Sequence, residues 1–317
     1  MTSVASVSKN GLRAGFGIYY NRAFPAPSMT SSWMLVAGFL AAAMGVFVKL
    51  GSEQFGAAEL AFYRSLVTFV AILGMVRVNK GTVRTKYFGM HLLRAVVGAI
   101  SLMGYFYAIA ALPLATAQTL NYTSPLFLAI TTVVVLGERF SGWLVAAIVV
   151  GFAGVALLLQ PTFGEGRQGA AMIGLFSGVL SSWAYLSVRS LGRLGEPDWR
   201  VVFWFGLVAA VMCAGWQALT GTFHPITWHN AWILLGMGIS GTLAQLAMTR
   251  AYRTGNTLVV GALSYSTLVF GAAATWMVWN ERVAPLEWAG MLVIVASGIM
   301  AMRAERKEQV EEAGFES

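Results

Sequence analysis

Apolar residues fill this chain in blocks of near-bilayer length, and polar or turn-forming residues are confined to the seams between them. Ten such windows run from 32 to 50, 57 to 76, 90 to 111, 114 to 136, 141 to 160, 170 to 189, 200 to 219, 230 to 252, 257 to 279 and 284 to 302. A helix rises 1.5 Å per residue, so about 20 apolar residues cross the hydrocarbon core and each window predicts one span. The seams carry turn or charge signals such as Gly51-Ser52-Glu53, Arg77-Val78-Asn79-Lys80-Gly81, Pro161-Thr162-Phe163-Gly164 and Gly195-Glu196-Pro197-Asp198. The pattern predicts an all-α integral membrane protein with ten transmembrane helices.

Composition narrows this further. Of 317 residues, 57% are hydrophobic and only 11% charged. A water-facing surface needs about a quarter charged residues, so large soluble domains are excluded. Residues 1–30 hold Lys9, Arg13 and Arg22 but no apolar run, and are expected to form a flexible cytoplasmic tail, as are residues 304–317 at the other end. With the N-terminus inside, the cytoplasmic seams collect Arg77, Lys80, Arg84, Lys86, Arg139, Arg189, Arg193, Arg200, Arg250, Arg253, Arg303, Arg306 and Lys307. The opposite seams collect only Lys49, Arg167 and Arg282. Basic residues near span ends set orientation, so both termini are expected in the cytoplasm, with the chain in the cytoplasmic (inner) membrane. The net charge of +8 is therefore mostly topological, and nucleic acid is not an expected partner.

The chain also repeats itself. Asn121-Tyr122-Thr123-Ser124-Pro125 is followed by Leu136-Gly137-Glu138-Arg139 and an apolar, glycine-containing window. Ser264-Tyr265-Ser266-Thr267 is followed by Trp279-Asn280-Glu281-Arg282 and another such window, and the two Tyr and two Glu-Arg pairs share one offset. A further echo joins Gly38 and Lys49 to Gly178 and Arg189. Five windows per repeat is an odd number, so the second copy enters the membrane from the opposite side, giving two inverted five-helix repeats at 31–160 and 169–303. Such halves can open one face and then the other, which makes transport by alternating access the leading expectation.

These motifs resemble the EamA-type carriers of the drug/metabolite transporter superfamily. In that family the fourth helix of each repeat is rich in small residues, carries a mid-helix Pro and ends in an acidic-basic pair before a glycine-rich fifth helix. Leu112 to Leu159, with Pro125 and Gly137-Glu138-Arg139, resembles this closely, and Tyr265 to Met302 more loosely, because Leu268 stands where the second Pro would be. The resemblance implies ten helices around a central cavity and movement of a small organic solute without ATP hydrolysis; no phosphate-cradling Gly-x-x-x-x-Gly-Lys-[Ser/Thr] sequence is present.

Polar residues on a bilayer helix must find partners or line water, so they mark the expected pathway. Gln118, Asn121, Tyr122 and Pro125 share a face by i, i+3, i+4, i+7 spacing, and Pro125 also removes a backbone donor and predicts a bend. Gly261, Ser264 and Tyr265 form the matching face of the ninth window. Arg64 lies about two turns inside the second window, and Arg94 opens the third window, on a face continued by Gly98, Ser101 and Tyr105; either guanidinium could clamp a carboxylate or phosphate, while Arg94 could instead be an interfacial anchor and Arg64 could snorkel or pair with Glu59. Trp183, Tyr185 and Gln245, the last beside Thr242 and Thr249, are candidates to line the second half of the cavity.

Glu59 is a weak candidate for a proton site and a better one for a structural partner of Lys49 or Arg64. The scarcity of deep carboxylates tilts the solute toward neutral, zwitterionic or anionic chemistry, amino acids and carboxylates first. Glu138 and Glu281, each beside an Arg at a window end, are candidate gates. His91, His224 and His229 show no ligand spacing and Cys213 stands alone, so no metal, cofactor or disulfide framework is expected. A membrane enzyme would need convergent nucleophiles or acids that the windows lack. A multidrug or toxic-metabolite exporter and a lipid-moving protein are the alternatives. The expected partners are a small-molecule solute and the lipid bilayer, with a coupling proton and a second copy of the chain left open.

Overall fold

A computed structural model describes residues 29–136, 142–164, 167–221, 223–255, 257–280, 284–297 and 299–300. Among these residues the chain is helical throughout its ordered elements: α1 Trp33–Gly51, α2 Ala57–Val78, α3 Phe88–Ala111, α4 Leu114–Asn121, α5 Ser124–Leu136, α6 Gly142–Gly164, α7 Gln168–Arg193, α8 Asp198–Thr220, α9 Trp228–Thr254, α10 Thr257–Ser264, α11 Ser266–Trp279 and α12 Pro285–Ser297. Six of these, α1 to α3 and α7 to α9, are long and apolar enough to cross a membrane. The tails, and the gate candidates Glu138 and Glu281, lie outside the described residues.

The burial pattern is that of a protein dissolved in lipid. Phe39, Val70, Val149, Val211, Met277 and Leu292 face outward, while Arg64, Ser65, Thr68, Arg94, Gln118 and Thr249 are buried. Hydrocarbon offers no hydrogen bonds, so the polar side chains turn inward. Small residues then let helices close up. A Cβ on Gly238 of α9 would fall 2.6 Å from Val67 of α2, and one on Gly206 of α8 would fall 3.1 Å from the backbone nitrogen of Phe69.

The packing is reciprocal. Helix α1 packs on α9 and on the α10–α11 pair, α7 packs on α3 and on the α4–α5 pair, and α2 packs on α8. The windows at 114–136 and 257–279 are each two helices rather than one. In the first, Tyr122 and Thr123 interrupt the helix, and Pro125 follows in the first turn of α5, where its missing N–H costs nothing. In the second, the interruption falls at Tyr265, although Leu268 occupies the position of the absent Pro. The break without a proline is held from outside. Gly38 of α1 packs so closely that a Cβ there would lie 2.8 Å from Thr267 Oγ1 and 2.9 Å from Ser266 Oγ, as one on Gly178 of α7 would lie 2.7 Å from Thr123 Oγ1 and 2.9 Å from the Leu120 carbonyl.

Charged residues stitch the ends of the bundle. Glu59 accepts hydrogen bonds from the His224 backbone N–H and from its ring Nδ1, both at 2.8 Å. Lys49 donates to the carbonyls of Ile109 and Leu112 at the end of α3. The expected pairing of Glu59 with Lys49 or Arg64 is therefore replaced: the loop before α9 reaches Glu59 first, and the α3 carbonyls left open at a helix C-terminus take the ammonium.

At the other end, Glu196 accepts from Arg200 Nη1 at 2.8 Å and from Thr85 Oγ1 at 2.7 Å, and lies 3.3 Å from His91 Nε2. Burial alone would raise the Glu196 carboxyl, but Arg200, Thr85 and His91 together hold it below the usual carboxylate range. A depressed folded-state value contributes stability above the ordinary carboxylate pKa and loses it as pH falls through the lowered one. The expected result is that Glu196→Gln lowers the Tm of detergent-purified protein by a few degrees at pH 7, with the gap to wild type closing below about pH 4, read by a thermal-shift series across pH.

Candidate solute-binding cavity

Helices α1, α2, α3, α7, α8 and α9, with the break between α4 and α5, line a cavity of about 100 Å³, room for several waters. Its polar wall is made by Arg64, Arg94, Ser101, Tyr105, Asn121, Tyr122, Ser181, Tyr185 and Gln245; Met34, Met44, Phe205 and Met248 make the apolar wall. The α3 face carrying Arg94, Gly98, Ser101 and Tyr105 turns all four residues to the cavity.

The two guanidiniums dominate the site. Arg64 and Arg94 are only 3% and 2% exposed, within the N-terminal halves of α2 and α3. Arg64 donates through Nη2 to the Gly241 carbonyl and to Gln245 Oε1, both at 3.3 Å, which fixes it to α9; its Nε and Nη1 have no partner. Arg94 keeps Nε and Nη1 unpartnered as well. Both lie against one ring: the Cζ of Arg94 is 4.1 Å and that of Arg64 5.1 Å from the centroid of Phe205. No Asp or Glu stands among the described residues of the lining.

Glycines admit both side chains. A Cβ on Gly98 would fall 2.5 Å from Arg94 Nη1, and one on Gly241 would fall 3.0 Å from Arg64 Nε. Phe205 was not singled out from sequence. An aromatic residue inside a run of aromatics on α8 carries no signal until two arginines from other helices are seen on its face.

Along the same lining, hydroxyls and an amide form a connected edge. Ser101 Oγ bonds to Ser181 Oγ at 2.7 Å and donates to the Ser177 carbonyl at 2.8 Å, and Asn121 Nδ2 donates to Ser177 Oγ at 2.9 Å. Tyr185 stacks on Tyr252 with centroids 4.8 Å apart, holding its ring upright beside the cavity.

Other candidates are placed elsewhere. Gln118 and Asn121 both lie on α4, but only Asn121, with Tyr122 just past the helix end, lines the cavity; the Gln118 amide is drawn to the α1–α11 side, wedged between Gly45 of α1 and Gly271 of α11, outside the lining. Trp183 is 42% exposed on the outer side of α7 and does not line the cavity, since its neighbours in sequence, Ser181 and Tyr185, take the inner face and leave the indole to the surroundings. Ser264 spends its hydroxyl on the Gly261 carbonyl at 2.7 Å, and Tyr265 is buried in the apolar core behind the lining. Pro125 lies beyond the lining too, at the start of α5.

A bundle of apolar helices around a polar cavity defines a membrane carrier by class. Residues 28–160 and 169–303 match the EamA-like transporter family, and the chain belongs to that family. It is 30% identical over 275 residues to the pseudopaline exporter CntI of Pseudomonas aeruginosa strain UCBPP-PA14, with 86% of this chain and 95% of that protein aligned. A riboflavin transporter of Rhizobium johnstonii is 27% identical over 280 residues, covering 87% and 92%. A solved structure described only as the crystal structure of a protein shares the fold at a TM-score of 0.67 and 18% identity, covering 89% of this chain and all of that one. The chain is a multi-pass membrane protein, a transporter rather than an enzyme, with a small-molecule solute and lipid as its surroundings.

Proposed function

We propose that this protein is a secondary transporter that carries a small organic solute bearing a carboxylate or related anionic group through the central cavity by alternating access. The observation that carries this reading is the pair of buried guanidiniums with unpartnered N–H groups at a cavity whose described lining holds no acid. A buried charge without a counter-charge costs several kcal/mol, and a solute anion is the group that removes that cost. A cationic drug would meet the same field as repulsion, which disfavours the exporter of cations. Asn121, Tyr122 and Tyr105 would orient the solute, and Arg64, Gln245 and Arg94 would hold it.

The reading includes ten helices arranged as two inverted repeats, 31–160 and 169–303, in the cytoplasmic membrane with both termini inside. Reciprocal packing supports it: each repeat's first helix grips the broken helix of the other, through Gly38 and Gly178. Rocking of one repeat on the other would then expose the cavity to each side in turn.

Two measurements test the proposal. Proteoliposomes loaded with protein should accumulate radiolabelled carboxylates from a panel and not organic cations, with Arg64→Gln lowering the rate at least about tenfold; equal rates for the variant would reject the arginine site. Single cysteines at positions 139 and 282 in a Cys213→Ser background should react with an impermeant maleimide from opposite sides. Reaction from one side would end the inverted-repeat arrangement.

A further inference from the structure

Resting on the transport reading above, we infer that the solute carries two separate anionic groups on a short spacer, a dicarboxylate in chemical class, with one group facing Arg64 and the other Arg94. The first reason is charge. Both guanidiniums are nine-tenths buried or more, both keep two nitrogens without partners, and the described lining supplies no carboxylate to either. A monoanion would compensate one and leave the other as an isolated cation in a medium of low dielectric, where an unpaired charge is strongly disfavoured.

The second reason is that the two cations are moored separately. Arg64 is tied through Nη2 to the Gly241 carbonyl and Gln245 on α9. Arg94 is held in the notch left by Gly98, with its Cζ against the Phe205 ring. Neither mooring lets one guanidinium swing to the other's position without giving up a contact, so two fixed donors call for two acceptors set apart. Phe205 limits how far apart. With Cζ distances of 5.1 Å and 4.1 Å to one ring centroid, the separation of the two cannot exceed the sum of those lengths. An aliphatic spacer of a few carbons spans that gap and lies on the apolar ring. Long diacids would overrun it; a single phosphate group bridging both guanidiniums is the competing occupant, which the methyl phosphate arm below tests.

The unpartnered Tyr105 hydroxyl adds a further donor at the same cavity. It would take an oxygen of either carboxylate or a hydroxyl on the spacer.

The test uses the full-length protein in detergent, with titration calorimetry and thermal shift against glutarate, butyrate, methyl phosphate and an ionic-strength control of sodium chloride at pH 7. Glutarate is expected to bind at least about tenfold more tightly than butyrate, the increment of one further charge-assisted contact, and more tightly than methyl phosphate. In a chain-length series the optimum should fall among the short diacids. In Arg64→Gln and in Arg94→Gln the glutarate-to-butyrate ratio should drop to within about twofold, and Arg94→Lys, which keeps the charge, should restore part of it. The wild-type ratio stands even if a Gln variant fails to fold. Equal affinity for glutarate and butyrate would overturn the two-group assignment while leaving an anion transporter. Methyl phosphate matching glutarate would overturn it by placing both arginines on one group. Binding of none of the organic anions would overturn this inference and the anionic-solute reading together.

Discussion

Replacing Arg94 by Met is expected to abolish transport of an anionic solute while leaving the solute-free protein at least as stable as wild type. The two effects have opposite signs for one physical reason. Arg94 is 2% exposed, with Nε and Nη1 unsatisfied, and its one visible compensation is the face of Phe205 4.1 Å away. A cation–π contact gives about 0.5–2 kcal/mol. Burying an ion without a counter-charge costs several kcal/mol even after relaxation. The cost outweighs the contact, so the empty site is a strained one, and a Met of similar length relieves it while still filling the notch at Gly98. Once a solute anion is bound the balance reverses. Removing one partner of a buried charge pair costs about 2–5 kcal/mol, which corresponds to a loss of solute affinity of roughly 30-fold or more. Thermal shift without solute and uptake in proteoliposomes measure the two halves independently. A large fall in Tm without solute would assign Arg94 to the architecture rather than to the solute.

Introducing a side chain at Gly178 is expected to disrupt packing and transport together. The Cβ of Gly178→Val would fall 2.7 Å from Thr123 Oγ1, 2.9 Å from the Leu120 carbonyl and 3.0 Å from the Asn121 carbonyl. Two of these are backbone atoms at the end of α4, so relief requires moving the helix break itself. Overpacking of this kind costs about 1–3 kcal/mol. It also displaces Asn121 and Tyr122, which line the cavity immediately after those carbonyls. Purified Gly178→Val should therefore show a lower Tm and a lower uptake rate together. Gly38→Val is the control, since its close neighbours include the Thr267 and Ser266 hydroxyls and its nearest backbone atom is 3.3 Å away. Hydroxyls can rotate away where carbonyls cannot, so the Gly38 variant should lose less of both. Equal losses would mean that the two breaks are held alike.

Hydropathy and motif already fixed the broad answer. Apolar blocks of bilayer length, the Glu-Arg pairs at a common offset and the scarcity of acids pointed to a membrane carrier of the EamA type, because lipid as solvent imposes its constraint on every turn of every helix and so writes it into composition. The α3 face was legible for the same reason. Arg94, Gly98, Ser101 and Tyr105 are linked by local helical periodicity, and a helix that continues unbroken keeps such residues together.

What the chain did not disclose depends on contacts between distant segments. Gln118 and Asn121 read as one face of one helix, yet Gln118 packs between Gly45 of α1 and Gly271 of α11 while Asn121 reaches Ser177 of α7, partners far away in sequence. Tyr265 sits at a second break that has no proline and is gripped by α1. Trp183 and Tyr185 look equally deep along the chain, yet one faces out and the other in, and only the packing of α7 against α3 and α4 shows which side of the helix meets the cavity. Phe205 gained its place between two arginines' reach from three helices meeting. Local periodicity determined which residues share a helix face; the approach of other helices decided which face is wet, where helices stop, and which charges stand together.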